Sequence, residues 1–573
     1  MKKIQTRIKA FASKTMVIGY CLLVIGMVSC SDFLDLEPRD LVILEQFWNE
    51  KTDVENSVAG CYEGIQSTAV VARMMAWGEF RSDNITTGEK AESDDLHMYK
   101  FLQANIDPSN VYTDWGSFYT VINRCNTVIL YAPEVQKKDP SFSESDLRAT
   151  IAEVSALRDL CYFYLIRTFR DVPYTTQAYT DDDQKMDLPA LPFDDVLDSL
   201  ITDLEKVKGD AQRRYPTDGN KKLYQTGRIT RDAIYAMLCE MYLWKKDYQK
   251  CVDYAELIIE QKRKEAEEEQ GTLQADMNKY FEGYPLIRDW TPQTGVYGNS
   301  FEKIFGDGNS VESVFELTYM KNDNMLANGA VDAYYGNLNN TWYYRVSPSQ
   351  YLAIDIPNNL FKLFANKYDA RYYEAMLSSN VIAKYVASSV MVEVASATNN
   401  VSTAYSISYS AGKNHSNWII YRLTDIMLME AEALVQLAAD NDDPKLEDAF
   451  KLVQVVNRRS ILKDPDKIAA TDLLKFPTED AKTGMEEMVM AERQRELLFE
   501  GKRWFDLVRR SMRDGNNDYL SQQIQNKGLQ NASIVKGTLE TIFESIYLPC
   551  YLEEWKVNGN LWHNPAYTYE EKD

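Results

Sequence analysis

Histidine is nearly missing from this sequence: His97, His415 and His563 are the only three, so a His-rich metal centre has little to be built from. Basic residues are in deficit, 63 Lys and Arg against 86 Asp and Glu, a formal charge of −23. Displacing phosphate counterions needs the opposite balance, which argues against nucleic acid as a partner. Cysteines with metal or redox spacing are also lacking. Cys61, Cys125, Cys161, Cys239, Cys251 and Cys550 form no CxxC or zinc-ribbon pattern. Most lie on apolar helical faces, as in Val121-Ile122-x-x-Cys125 and Leu157-x-x-x-Cys161, and are expected to be buried free thiols. There is no Walker A sequence, no GxSxG elbow and no HExxH. Asp181-Asp182-Asp183 and Asp440-Asn441-Asp442-Asp443 lack the glycine and closing glutamate of an EF-hand and read as solvated loops. No cofactor, metal site or catalytic residue is expected. Acidic pairs for glycoside hydrolysis depend on a spatial separation that sequence does not give, so a surface glycoside hydrolase stays open as the enzyme alternative.

Long apolar runs are scarce as well, and the exception is informative. Lys2, Lys3, Arg7, Lys9 and Lys14 precede the run Met16 to Val28, which is too short for a comfortable membrane span and reads as a signal peptide. It ends in Met27-Val28-Ser29-Cys30, the form of a bacterial lipobox, which makes Cys30 the expected lipid anchor. Removing a leader with five basic and no acidic residues moves the net charge from −23 to −28. The 45% hydrophobic and 26% charged composition is ordinary for a folded protein.

Helical periodicity dominates the chain beyond the leader. A short extended segment, Asp32 to Pro38, leads to a first helix from about Glu45 to Gln66. The stretch Trp77 to Gln103 reads as a loop, and Trp115, Tyr119, Ile122, Asn126 and Ile129 recur in a second helix. Ser143 and Asp146 begin another, which Pro173 stops. After Gly227-Arg228-Ile229-Thr230 come two helices split at Lys245-Lys246-Asp247, with small residues on one facing large ones on the other, a tetratricopeptide-like hairpin. Arg422 to Leu434 and Ala449 to Arg459 repeat that pattern. From about 270 to 417 the periodicity fades and Asn, Gly, Ser, Tyr and Trp accumulate, with strands expected near Val311 to Met320 and Val381 to Val394. The expected fold class is mainly α, tetratricopeptide-like helical hairpins with a loop-rich insertion containing a few short strands. Its divisions are a leader over 1–29, a lipidated segment over 30–44, helical repeats over 45–269, the insertion over 270–420 and a C-terminal helical region over 421–573.

The stretch Ala491 to Arg510, AERQRELLFEGKRWFDLVRR, reads as one long helix capped by Thr483 and Glu486. Gly501 on its apolar face would let a neighbour approach closely. Glu492/Arg495, Arg493/Glu496, Glu500/Arg503 and Arg503/Asp506 are three apart and read as a solvated ion-pair ladder, each pair contributing roughly 0.2–0.5 kcal/mol.

In residue order this stretch resembles the C-terminal signature of the SusD/RagB family of nutrient-binding outer-membrane lipoproteins. Further resemblance runs through Ala156 to Tyr174, Ile201-Thr202-Asp203-Leu204, Glu312 to Leu317, Asp369-Ala370-Arg371 and Tyr547-Leu548-Pro549 to Tyr567. Arg170 stands where the family usually has glycine, and Cys550-Tyr551 where it has Ile-Pro. The resemblance implies a SusD-like fold without catalysis, anchored in the outer membrane and exposed at the surface. Ser31-Asp32 and Asp35 fit its export signal. It further implies a SusC-like TonB-dependent transporter as partner and an oligosaccharide or polysaccharide as ligand, with a RagB-like peptide as the alternative.

Sugar rings need flat apolar platforms, and their hydroxyls need planar polar groups. The insertion supplies Trp290, Tyr297, Tyr334, Tyr335, Trp342, Tyr343 and Tyr344 among Asn299, Asn337, Asn339, Asn340 and Arg345. A second contribution is expected from Trp77, Glu79, Arg81, Asp83 and Asn84. The ligand candidates are Trp290, Tyr297, Asn340, Trp342, Tyr344, Trp77, Arg81 and Asp83.

Overall fold

The computed structural model describes residues 47–181, 183–216, 223–270, 281–290, 295–319, 326–336, 345–352, 363–364, 368–378, 381–395, 400–406, 413–462 and 473–569. Its main helices in the first half are α1 (Lys51–Ile65), α2 (Thr68–Met75), α3 (Gly116–Lys138), α4 (Glu144–Phe169), α5 (Phe193–Val207), α6 (Arg231–Trp244) and α7 (Tyr248–Gln270). Between residues 270 and 420 lie α8 (Gly329–Tyr334) and α9 (Ala370–Ala375), and after them come α10 (Leu423–Leu437), α11 (Lys445–Arg459), α12 (Ala481–Glu496) and α13 (Arg503–Asp514). Strands β1 (Ile85–Thr87), β2 (Ser313–Leu317), β3 (Val346–Pro348), β4 (Ser389–Val394), β5 (Val401–Ser406) and β6 (Trp418–Arg422) pair only as antiparallel twos, β1 with β3, β2 with β6 and β4 with β5. The fold is mainly α, as the periodicity required.

Helix α4 sits at the centre because its second half has no polar face: from Ala152 to Phe169 every residue is buried. A capping box starts it, with the Asp146 amide donating to Ser143 Oγ at 3.1 Å and the Ser143 amide donating to Asp146 Oδ2 at 3.2 Å. Arg170 ends it at φ +68°, a non-glycine residue in the left-handed half of the map, and Val172–Pro173 then pairs with Ala190–Leu191. Helices α3 and α4 pack together, as do α6 with α7, α7 with α10 and α10 with α11, giving stacked hairpins. Thr230 caps α6, accepting from the Ala233 amide at 3.3 Å, and Lys246 at φ +66° turns the chain into α7. Cys61, Cys125, Cys161, Cys239, Cys251 and Cys550 are all buried free thiols.

The C-terminal signature departs from its expected form. Helix α12 ends at Glu496, Phe499 at φ +66° and Gly501 at φ +73° reverse the chain, and α13 starts at Arg503, so the stretch is two helices around a tight turn. Thr483 and Glu486 do not cap α12, which begins at Ala481 behind Asp480. The close approach at this turn depends on Gly78 rather than Gly501: a Cβ built on Gly78 would lie 1.9 Å from the Gly501 carbonyl oxygen, whereas one on Gly501 would lie 3.0 Å from Trp418, and Gly501 is needed for its φ of +73°.

The ladder is not solvated either. Of the four expected pairs only Glu492 with Arg495 forms, at 2.7 Å. Glu496 is buried and accepts from Arg371 at 3.0 Å, Arg422 at 2.7 Å and Arg459. Arg422 also reaches Glu500, Arg459 reaches Glu312, and Arg371 reaches Asp369 and Glu492. Arg493 pairs with Asp506 and Asp425, and Arg509 with Glu432. Burial alone would raise the Glu496 carboxyl, but Arg459, Arg422 and Arg371 outweigh it and hold the group well below the usual carboxylate range. The ladder is therefore a buried network joining β6, α9, α10, α11, α12 and α13.

Candidate ligand-binding site

Antiparallel pairing brings the two stretches singled out in the sequence together. Ile85, Thr86 and Thr87 of β1 face Pro348, Ser347 and Val346 of β3, extended by Gly88 N to Arg345 O at 2.9 Å and Ser349 N to Asn84 O at 2.9 Å. Asn328 caps α8 by accepting from the Val331 amide at 3.2 Å, and its own amide donates to Asn414 O at 2.8 Å. Helix α8 packs on α2, so close that a Cβ on Gly329 would lie 2.5 Å from Thr68 Oγ1. It places Tyr334 beside the β1–β3 pair.

A polar chain runs through this corner. The Tyr334 and Tyr112 hydroxyls are 2.5 Å apart, Tyr112 donates to Asp95 Oδ2 at 2.6 Å, and Arg345 Nη1 lies 3.8 Å from the same oxygen. The Arg345 guanidinium lies 5.7 Å from the Tyr334 ring centroid. Burial, with Tyr334 and Asp95 close by, raises the Tyr112 phenol far above its ordinary value. Burial raises Tyr334 as well. Both stay neutral hydroxyls, able to donate and accept. Arg345 and Asp95 are partly exposed, and residues 337–344, which carry Asn337, Asn339, Asn340, Trp342, Tyr343 and Tyr344, connect α8 to Arg345 in sequence. The candidates Asn340, Trp342 and Tyr344 thus lie outside the described residues.

The other residues singled out in the sequence make contacts within the protein. Trp77 is fully buried, donates from Nε1 to Tyr112 O at 2.8 Å and stacks on Phe118 at 4.7 Å. Asp83 is buried in a two-pronged pair with Arg503 at 2.8 and 3.0 Å. Arg81 donates to Ile546 O at 2.6 Å and Ser545 O at 3.0 Å and lies over Trp504 at 4.1 Å. Glu79 accepts from the Phe499 and Gly501 amides at 3.1 and 3.0 Å, so Glu79 and Asp83 latch this segment onto the signature turn and the helix after it. Tyr297 is also buried, its backbone bridged to Val392 in β4. Trp290 remains half-buried against the core beside Asp289, which accepts from the Gly298 and Ser300 amides and the Ser300 hydroxyl. The sequence reading missed Asp95 and Tyr112. Asp95 was one of several acids in an apparent loop, and nothing local marks Tyr112 as its partner.

Away from this corner, a concave surface of about 940 Å³ runs along α1. Tyr62, Phe142, Tyr215, Tyr224 and Arg228 help to line it, with Arg228 held by buried Glu153 at 2.8 and 2.7 Å and stacked on Tyr215 at 4.1 Å. Its size suits a small ligand. Among the described residues no group of three or more His, Cys, Asp or Glu could hold a metal ion, and no helix is long and apolar enough to cross a membrane.

The described residues thus form stacked helical hairpins with a polar corner where β1 meets β3. The chain matches the SusD family over residues 311–567 and a family described as starch-binding and associating with the outer membrane over residues 32–243. It belongs to the SusD/RagB family. Two SusD-like proteins of Formosa agariphila are similar to it, one 25% identical over 524 residues, 87% of this chain and 91% of that protein. The other is 23% identical over 517 residues, 86% of this chain and 89% of that protein. Crystal structures of SusD superfamily proteins from Bacteroides thetaiotaomicron and Bacteroides vulgatus share the fold. Their TM-scores are 0.62 and 0.63 at 21% and 17% identity, each over 91% of this chain and over 99% and 100% of theirs.

Proposed function

We propose that this chain is a non-catalytic, cell-surface glycan-binding lipoprotein, anchored through Cys30, that captures a neutral oligosaccharide and passes it to a SusC-like TonB-dependent transporter. The observation that carries the reading is the corner where β1 meets β3. Tyr334, Tyr112, Asp95 and Arg345 offer hydroxyl, carboxylate and guanidinium groups there, next in sequence to the aromatic and amide-rich residues 337–344. Such groups recognise sugar hydroxyls, and the neighbouring aromatics suit the C–H faces of a ring. One of the two matching families is described as starch-binding, which supports a saccharide over other ligand classes.

Loop-borne sites gain little area and pay an ordering cost, so the expected Kd is on the order of 10 µM to 1 mM. A glycan-array screen of the soluble chain from Ser31 onward, followed by calorimetry on the hits, tests the reading. Glycan binding weakened by Arg345→Ala supports it. Binding of peptides and of no glycan by folded protein replaces it with the RagB-like alternative, and release of new reducing ends from a bound glycan would show a hydrolase.

A further inference from the structure

Between α7 and α10 runs a groove of about 660 Å³ to which the glycan reading assigns no role. Asp253, Glu256 and Glu260 recur at helical spacing along one face of α7 and wall it on one side, with Leu257 among them. Glu430 of α10 lines the other side, and Arg263 and Tyr284 complete the surround.

Glu430 is what sets this groove apart from an ordinary acidic surface. It is only 8% exposed, and its Oε2 accepts no hydrogen bond. A buried carboxyl oxygen without a hydrogen-bond partner is costly whether ionised or protonated, so native proteins rarely leave one. The chain's nearby cations are engaged: Arg263 donates to Gly283 O at 3.1 Å and lies over the Tyr284 ring at 4.9 Å, and Lys264 pairs with Glu260 at 3.4 Å. Burial, followed by the like charges of Glu256 and Asp448 and against the pull of Arg263, pushes the Glu430 carboxyl up to about 8.

The spacing of the acids selects among cations. Among the described residues no three such groups approach closely enough to hold a metal ion, which argues against a divalent cation. Acids spread along a wall, with Leu257 half-exposed between them, suit a linear cation whose methylenes lie on an apolar side chain and whose charge sits at one end. We propose that this groove binds a primary alkylammonium group, its methylene stem along Leu257 and its ammonium paired with the Glu430 carboxylate. A lysine side chain of a partner protein and a free polyamine both present that group. The site is independent of the glycan reading and stands or falls separately.

The test is calorimetry on the detergent-solubilised full chain at pH 7 in two buffers of different ionisation heat, with N-acetyl-lysine methylamide and spermidine as probes. One saturable site is expected, with close to one proton released per ammonium bound, because the carboxyl starts protonated and binds as the carboxylate. Glu430→Gln should weaken binding about tenfold and abolish the proton release. Leu257→Ala should weaken binding about threefold and leave the proton release in place. Glu487→Gln, an exposed carboxylate outside the groove, should change neither. Tighter binding of the lysine probe assigns the site to a protein partner, and tighter binding of spermidine to a free polyamine. The proposal is overturned if Glu430→Gln and Glu487→Gln behave alike, which would mean attraction to net charge alone, or if no saturable binding is seen.

Discussion

Replacing Glu496 by Gln removes one negative charge from among three buried guanidiniums while keeping the side chain's shape. Arg371, Arg422 and Arg459 each lose a charge-assisted bond. None is left bare, because Arg371 keeps Asp369 and Glu492, Arg422 keeps Glu500, and Arg459 keeps Glu312. Breaking one buried pair costs about 3–5 kcal/mol, and the remaining carboxylates hold the total near that range rather than three times it. Against a stability of about 5–15 kcal/mol this is a large fraction. Urea denaturation, read by tryptophan fluorescence, should show a clear fall in midpoint for Glu496→Gln. Glu487→Gln, exposed on the same helix, should stay within about 0.5 kcal/mol of the parent. A Glu496→Gln midpoint matching that of Glu487→Gln would refute the buried network and restore the solvated ladder.

The same geometry sets other expected outcomes. Gly78→Ala drives a methyl into the Gly501 carbonyl, and thermal unfolding should show a loss of at least about 3 kcal/mol. Trp77→Ala should cost about 3–5 kcal/mol in denaturant while glycan affinity per folded molecule is unchanged, because the ring is in the core. The pH profile should have two limbs. Glu496 and Asp506, the latter at about 2, are held below their unfolded values of about 4. Their contribution is present above that value and is lost as pH falls through the folded ones. Glu430, raised to about 8, does the reverse, and stability rises as pH falls from there towards about 4. Glu430→Gln should therefore flatten the alkaline limb and stabilise the protein by about 1–3 kcal/mol at pH 8, measured as urea midpoints across pH.

The elements legible in the sequence were those set by local chemistry. Ser143 and Asp146 cap α4 because both partners lie within one turn, and the hairpin at Lys245 to Asp247 follows from a break between two apolar faces. Gly501 marked a break for the same local reason, although the close contact there depends on Gly78. The ladder misled because its true partners are remote: Arg503 finds Asp83, and Arg509 finds Glu432. Charges spaced three apart on a helix look alike whether water or a distant carboxylate faces them. The turn at Phe499 was equally hidden, since a phenylalanine at positive φ is held by Glu79 from the other end of the chain. Trp77, Arg81 and Asp83 read as ligand contacts in the sequence because aromatic, guanidinium and carboxylate groups serve contacts within the protein, such as those they make here, as well as a sugar. The meeting of β1 with β3 was foreshadowed by naming both segments, but Asp95 and Tyr112 emerge only when the strands pair.

The most direct test of the glycan reading is calorimetry of the chain from Ser31 onward with oligosaccharides that score on the array, repeated on Arg345→Ala and Trp342→Ala. The account predicts saturable binding of a neutral oligosaccharide, weakened at least about tenfold by either substitution with no change in melting temperature. Folded protein that binds no glycan, or binds one equally well after both substitutions, would contradict it.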